Sequence, residues 1–132
     1  DSSAYSSVRG ECPGPLVLGG VWPKYYFPIE GSSLEDALEK GMQRADAIVV
    51  TGKGTGVETP LDKIKKFRQI MGDFPLIVGA GLNPQNGYEQ LCIADGGIVG
   101  SCLKPDNDTS KLIDRHRVRD FMAAVYQARE DR

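Results

Sequence analysis

The stretch Pro75-Leu76-Ile77-Val78-Gly79-Ala80-Gly81-Leu82-Asn83-Pro84 decides the fold class. Its apolar run is short and continuous rather than alternating, which is the pattern of a strand covered on both faces. The run breaks into glycines. Asn83-Pro84 then supplies an N-cap and a proline at the first helical position, where a missing N–H costs nothing. Strand, glycine turn and helix start together make the unit of a parallel α/β fold.

The same unit recurs outward in both directions. Upstream, Ala47-Ile48-Val49-Val50 runs into Thr51-Gly52-Lys53-Gly54-Thr55-Gly56. Thr59-Pro60 repeats the cap, Leu61, Ile64, Phe67 and Met71 form a helical stripe, and Gly72 suits its end. Before that, Leu16 to Val21 is apolar, a loop passes Pro23 and Pro28, and Ser32-Ser33-Leu34-Glu35 reads as a capping box. Leu34, Ala37, Leu38 and Met42 follow on one helical face. Downstream, a short helix is expected through Tyr88 and Leu91, then a strand at Gly97-Ile98-Val99-Gly100. After a polar loop from Pro105 to Lys111, Asp114 is the expected N-cap of a last helix with Val118, Phe121, Met122 and Val125 inward.

The organisation is therefore a loose polar lead-in over residues 1–14 and four βαβ-type units over 15–132. A (β/α)8 barrel needs eight such units and roughly 250 residues, so four make half of one. An open doubly wound sheet also fits. The pattern alone leaves both.

Composition narrows the function classes. The chain has 132 residues, 40% hydrophobic and 26% charged, with net charge −2, which gives no overall attraction to nucleic acid or anionic lipid. Two basic groups, Lys63, Lys65, Lys66, Arg68 and Arg115, Arg117, Arg119, fall inside amphipathic patterns and are read as solvated helix faces. No apolar run approaches the roughly 20 residues that span a bilayer. The start DSSAYSSVRG has no signal-peptide core and no initiator methionine, so a cut or processed end is expected. Cys12, Cys92 and Cys102 are three in number and widely spaced, which suits reduced thiols in a cytoplasmic protein better than a disulfide framework or a zinc site. With His116 the one histidine, no metal centre and no cofactor are expected.

Ligands of parallel α/β folds sit at the C-terminal ends of the strands. There, glycine lets a backbone approach an anion and the next helix presents N–H groups. Gly79, Ala80 and Gly81 with Gly100 and Ser101 are accordingly the candidate phosphate-binding pair of turns. The bland alternative is that these glycines only make tight turns. Thr51 to Gly56 is neither a Walker A loop nor GxGxxG. It reads as a flexible loop over a barrel mouth, with Thr51 facing inward.

Three longer segments carry a resemblance. They are Ala45-Asp46-Ala47-Ile48-Val49-Val50-Thr51-Gly52 with Thr55-Gly56, the stretch Pro75 to Asn86, and Ala94-Asp95-Gly96-Gly97-Ile98-Val99-Gly100-Ser101-Cys102-Leu103-Lys104 followed by Asp114 and Arg117-Val118. In order and spacing, across roughly residues 16–125, the chain resembles the BtpA/SgcQ family. The resemblance implies a TIM barrel, with these four strands as barrel strands five to eight. It also implies a divided functional picture. One member is associated with stable accumulation of photosystem I, as a peripheral thylakoid factor, and others belong to sugar-metabolism contexts. Two features depart from the family. Its N-terminal half is absent, and Val21-Trp22-Pro23-Lys24-Tyr25-Tyr26 keeps Lys24 without the histidine the family tends to place nearby.

Lys24, Thr51 and Lys104 are the candidate catalytic residues, each expected at the barrel mouth. A lysine there can neutralise phosphate or act as base or Schiff-base amine if burial lowers its pKa. A Cys102–His116 pair is not expected, because His116 opens an outer-shell helix. Asp46 and Asp95 precede strands and belong to the bottom face as structural residues. Trp22, Tyr25 and Tyr26 either wall a ligand or pack under their loop.

Two functions follow as expectations. One is an enzyme acting on a phosphorylated sugar or nucleotide-type small molecule. The other is a non-catalytic assembly factor for a membrane complex such as photosystem I, with peripheral membrane association. A half barrel leaves open edges that invite pairing, so a homo-oligomer or a missing N-terminal half is expected as partner.

Overall fold

A computed structural model describes residues 2–12 and 14–132 of the chain. Helix α1 (Ser2–Glu11) leads to β1 (Leu18–Gly20), α2 (Leu34–Met42), β2 (Ala47–Val50), α3 (Leu61–Met71), β3 (Leu76–Val78), α4 (Gly87–Leu91), β4 (Gly96–Gly97) and α5 (Arg115–Glu130). Short 3-10 turns occupy Ser101–Leu103 and Pro105–Asn107. The four strands pair in chain order, β1-β2-β3-β4, and every pairing is parallel. Gly19 lies beside Ile48 and Ile48 beside Leu76, while Val50 lies beside Val78 and Val78 beside Gly97. This is the expected α/β architecture of successive βαβ units.

One face of the sheet makes the core. Ile48, Val50, Leu76 and Val78 are fully buried, together with Leu38, Ile64 and Phe67 from α2 and α3. Each such side chain contributes about 1.5–3 kcal/mol relative to an exposed one. Close approach supports the layer: a Cβ on Gly41 of α2 would stand 3.0 Å from Ile48 Cδ1.

The opposite face departs from the expectation of strands covered on both sides. There Leu18 is 51% exposed, and Val49 and Ile77 are only partly buried. The physical reason is that the wall that would complete a barrel interior is not part of this sheet.

Local signals fall on the expected residue in some places and are displaced in others: α4 starts at Gly87 rather than at Pro84, and the Asn83 side chain instead accepts from the Gln85 and Asn86 N–H groups in the turn before it. Ser33, not Ser32, caps α2 by accepting from Asp36 N–H at 3.0 Å. Ser32 donates its hydroxyl to the Ile29 carbonyl instead. Thr59 does not cap α3, which starts after Pro60 without a side-chain cap. Asp114 caps α5 through His116 and Arg117 N–H, and Gly72 ends α3 at φ 58°.

The lead-in is not loose over Ser2–Glu11. It is helical, anchored by the Tyr5 hydroxyl donating to the Arg44 carbonyl and by Arg9 paired with Asp46 at 2.9 Å. Short polar sequences form helices mainly through such tertiary contacts, which residue pattern does not announce.

The reading of basic groups as solvated also needs correction. Lys65, Lys66, Arg115 and Arg119 are exposed, but Lys63, Arg68 and Arg117 are half-buried and bonded to carbonyls of neighbouring elements.

Candidate functional site

Parallel pairing brings all four strand C-termini to one face, and two loops from that face lie against each other. Lys24 N–H donates to Thr51 Oγ1 at 2.8 Å. The Lys24 ammonium donates to Thr55 Oγ1 at 2.9 Å and stands 5.9 Å from the Tyr25 ring centre. The Tyr25 hydroxyl accepts from Thr55 N–H at 2.9 Å and holds Thr55 Oγ1 at 3.3 Å. The bonds from Thr55 favour the phenolate and lower the Tyr25 pKa from its ordinary value. Lys24 and Thr51 are thus brought together. Lys104 is elsewhere, its ammonium donating to the Thr109 carbonyl within the loop that follows it.

The glycine turns stand at the ends of adjacent strands, and residues 51–60 reach across to both. Gly81 has φ 74°, and a Cβ there would meet Glu58 Cα at 2.3 Å and Val57 O at 2.4 Å. Gly81 is therefore glycine because the loop backbone packs on it. Thr59 Oγ1 donates to the Ala80 carbonyl at 3.0 Å, and Asn86 Nδ2 donates to the Gly81 carbonyl at 3.0 Å. At Gly79 a Cβ would meet Val49 Cγ1 at 2.4 Å and Thr51 Cγ2 at 3.0 Å, so this glycine, Val49 and Thr51 share the open sheet face. Gly56 approaches Ser101, with 3.3 Å from its Cβ position to Ser101 Oγ. Gly100 differs from all of these, because nothing lies within 4 Å of where its Cβ would be.

Sequence reasoning missed three participants. Lys63, in the first turn of α3, donates to the Thr51 carbonyl at 2.8 Å and the Trp22 carbonyl at 3.1 Å. Burial lowers its pKa from the ordinary lysine value. A lysine in a helix first turn opposes the helix dipole, and that mismatch was the available signal. Gln90 is 1% exposed and donates to Glu58 Oε1 and to the Thr59 carbonyl, both at 3.1 Å, so it holds the crossing loop from below. Arg117 borders a polar hollow of about 500 Å³ with Asn83, Gln85, Asn107, Asp120 and Cys102, the residue that follows Ser101. Burial raises the Cys102 thiol pKa, which disfavours the thiolate a nucleophile needs. His116 is exposed on α5.

A second cleft, about 670 Å³, lies between the two laced loops and is lined by Trp22, Tyr25, Tyr26, Phe27, Thr51 and Lys63 among others. Tyr25, Tyr26 and Phe27 are largely exposed rather than packed beneath the loop. Among the described residues, no group of three or more His, Cys, Asp or Glu could hold a metal ion, and no helix is long and apolar enough to cross a membrane.

At the other end of the strands, Asp46 and Asp95 hold structure. Asp46 accepts from Val17 N–H at 2.7 Å and from Arg9. Asp95 accepts from Leu76 N–H at 2.9 Å, Arg68 at 2.6 Å and Arg132 at 2.8 Å. Burial pushes the Asp95 carboxyl pKa up, but the bonds from Leu76, Arg132 and Arg68 outweigh it and hold the value at about 2.

The model of the BtpA family matches residues 17–127, which covers every strand and the glycine turns. The chain belongs to the BtpA family. An uncharacterized protein of Methanocaldococcus jannaschii is 38% identical over 95 residues, covering 72% of this chain and 35% of that protein. The photosystem I biogenesis protein BtpA of Synechocystis is 28% identical over 113 residues, covering 83% of this chain and 39% of that protein. The chain spans only part of the length of these BtpA-family relatives. Among solved structures, N-(5'-phosphoribosyl)anthranilate isomerase from Pyrococcus furiosus, a TIM barrel, is similar with a TM-score of 0.62 at 17% identity. The match covers 94% of this chain and 56% of that one. At that identity the likeness shows the fold alone: this BtpA-family chain is built as part of a TIM barrel.

Proposed function

We propose that residues 15–132 of this BtpA-family chain form a half barrel whose strand-end glycine turns bind the phosphate of a sugar- or nucleotide-type small molecule, in an enzyme that acts on it. The observation that carries this reading is Gly100. It stands beside Ser101 in the segment that follows β4, and unlike Gly79 and Gly81 it has open space where a side chain would project. The packing of Gly79 and Gly81 explains those two glycines without a ligand, whereas it leaves Gly100 unexplained. Arg117 shares a hollow with Asp120 and with Cys102, the residue after Ser101, and is a cation of the planar, bidentate kind that suits phosphate. In this reading Lys24 and Thr51 face the reacting part of the ligand, and Lys104 takes that role only if its bond to Thr109 opens.

The test is calorimetric titration of the chain with ribose 5-phosphate and with inorganic phosphate, repeated on Ser101→Glu. Saturable binding that weakens at least tenfold in the variant is expected. Absence of binding by the unaltered chain, or equal binding by the variant, sinks the reading. Ser101 is the position to change, since Gly81→Glu would collide with the Glu58 backbone and report folding instead.

The second reading, an assembly or stability factor for a membrane complex such as photosystem I, rests on the name of the Synechocystis relative and on the exposed Tyr25, Tyr26, Phe27 and Ile29 surface. Under it, Ser101→Glu leaves partner binding intact while changes to that aromatic surface abolish it.

A further inference from the structure

The loops that follow β1 and β2 leave strands that pair with each other, so the contact between them is internal to this sheet. Thr55 is its meeting point. Thr55 Oγ1 accepts from the Lys24 ammonium at 2.9 Å and lies 3.3 Å from the Tyr25 hydroxyl, while Thr55 N–H donates to that same hydroxyl at 2.9 Å. A neutral Tyr25 phenol donates to Thr55 Oγ1. Once ionised, it accepts from that hydroxyl, whose hydrogen is free to rotate. A continuous line of hydrogen bonds then runs from the Lys24 ammonium through Thr55 to the phenol oxygen.

The backbone is committed to this arrangement. Trp22 and Tyr25 have φ 45° and 68°, left-handed values that bulky residues keep only where their surroundings impose them. Lys24 N–H on Thr51 Oγ1, and the Lys63 ammonium on the Trp22 and Thr51 carbonyls, fix the same two loops. The surroundings also favour a phenolate. Lys24 stands 5.9 Å from the Tyr25 ring centre, Lys53 and Lys63 line the same cleft, and none of the described residues lining it is a carboxylate. The Thr55 hydroxyl and N–H, and after them the Lys24 charge, outweigh desolvation and lower the Tyr25 pKa. Thr55 is followed by Gly56, whose Cβ position is 3.3 Å from Ser101 Oγ. Consecutive residues of one loop thus touch the Tyr25 phenol and the Ser101 turn.

On the phosphate reading above, on which this inference rests, we propose that Tyr25 is the proton-transfer group of the site, positioned by Thr55 and Lys24, and that its ligand is a phosphorylated aldehyde or ketone. The Tyr25 phenolate takes the proton from the carbon beside the carbonyl. The C–H electron pair becomes the C=C bond of an enolate, and the carbonyl π pair moves to oxygen. Thr55 Oγ1 takes one of the three Lys24 N–H groups, and among the described residues no other hydrogen-bond acceptor takes the rest. Those free N–H groups meet the charge that develops on the carbonyl oxygen. Return of the proton restores the carbonyl and the phenolate, so the cycle needs no oxidant and no second reactant.

The experiment places the whole chain in D2O with ribose 5-phosphate, following deuterium at the carbon beside the carbonyl by NMR and binding by calorimetry. The unaltered chain should bind and exchange. Tyr25→Phe keeps the ring, so it should still bind yet lose exchange by about a hundredfold, the contribution usual for a positioned acid–base group. Thr55→Val should move the pH profile of exchange upward, with the rate recovered at higher pH. The carbon-13 signal of the Tyr25 Cζ should report the matching rise in its titration. Binding without exchange overturns the role of Tyr25 and leaves the phosphate reading standing. So does exchange that survives Tyr25→Phe, or a Tyr25 signal that titrates like free tyrosine. Absence of binding instead fails the phosphate reading, and the role of Tyr25 falls with it.

Discussion

At the N-terminal end of the sheet, two aspartates in equivalent places, Asp46 before β2 and Asp95 before β4, each accept the main-chain N–H of the preceding strand and are clamped by arginine. At the C-terminal end no such carboxylate clamp joins the strands among the described residues. There the loop from β2 packs backbone to backbone on Gly81, and hydroxyl and amide side chains from Thr51, Thr59, Asn86 and Gln90 tie the turns. The difference teaches what each end tolerates. Ionic clamps as exposed as these contribute modestly, and they fix side chains a ligand cannot use. Close backbone packing fixes the loops while leaving Gly100 toward open space. Carboxylate clamps at the lower end fit the general division in barrels, where the lower face serves stability and the upper face serves ligands.

The sharpest way to break the contrast is Gly81→Ala. The substitution forces a side chain into a left-handed φ and against the Glu58 backbone, so unfolding in urea should show a loss on the order of 3 kcal/mol. A loss no larger than that of an ordinary surface substitution would mean that the crossing loop does not hold the upper face.

Next in size is Asp95→Ala. It removes the acceptor for Leu76 N–H and two arginines, and about 1 kcal/mol is expected after allowance for the third of the side chain that solvent reaches. Asp46→Ala should cost less, since one arginine rather than two clamps it. The pH dependence separates this from packing loss. The folded pKa of Asp95, about 2, lies below the unfolded value of 3.8, so its contribution is complete above pH 3.8 and disappears as pH falls through about 2. The variant should show a flatter stability slope across that window. An unchanged slope would remove Asp95 from the account.

The smallest effect on stability is expected for Lys63→Met, because losing the bonds to the Trp22 and Thr51 carbonyls is offset by relief of a buried charge. Its effect should appear in motion instead, as faster hydrogen exchange of Lys24 N–H, which is bonded to Thr51. Unchanged exchange with reduced stability would make Lys63 a packing residue only.

Much of the frame was legible in the chain itself. Short apolar runs ending in glycine turns, with Asp114 and Gly72 at helix ends, specify parallel βαβ units through local physics, because period, cap and turn chemistry act within a few residues. The order and spacing of the Ala45, Pro75 and Ala94 segments likewise placed the chain in its family. The candidate site was legible only as a location. Sequence marked Gly79, Gly81 and Gly100 alike, yet Gly81 is occupied by the Val57–Glu58 backbone and Gly100 faces open space. Lys63, Arg68 and Arg117 looked like solvated cations, but each finds carbonyls on another element. Ser2–Glu11 became a helix through contacts with Arg44 and Asp46. Backbone propensity and apolar period are properties of neighbours in the chain, so the sequence determined the elements and their order. Which glycine is filled, which lysine is desolvated and which sheet face stays bare depend on atoms more than twenty residues apart in several cases, and only the tertiary structure decided them.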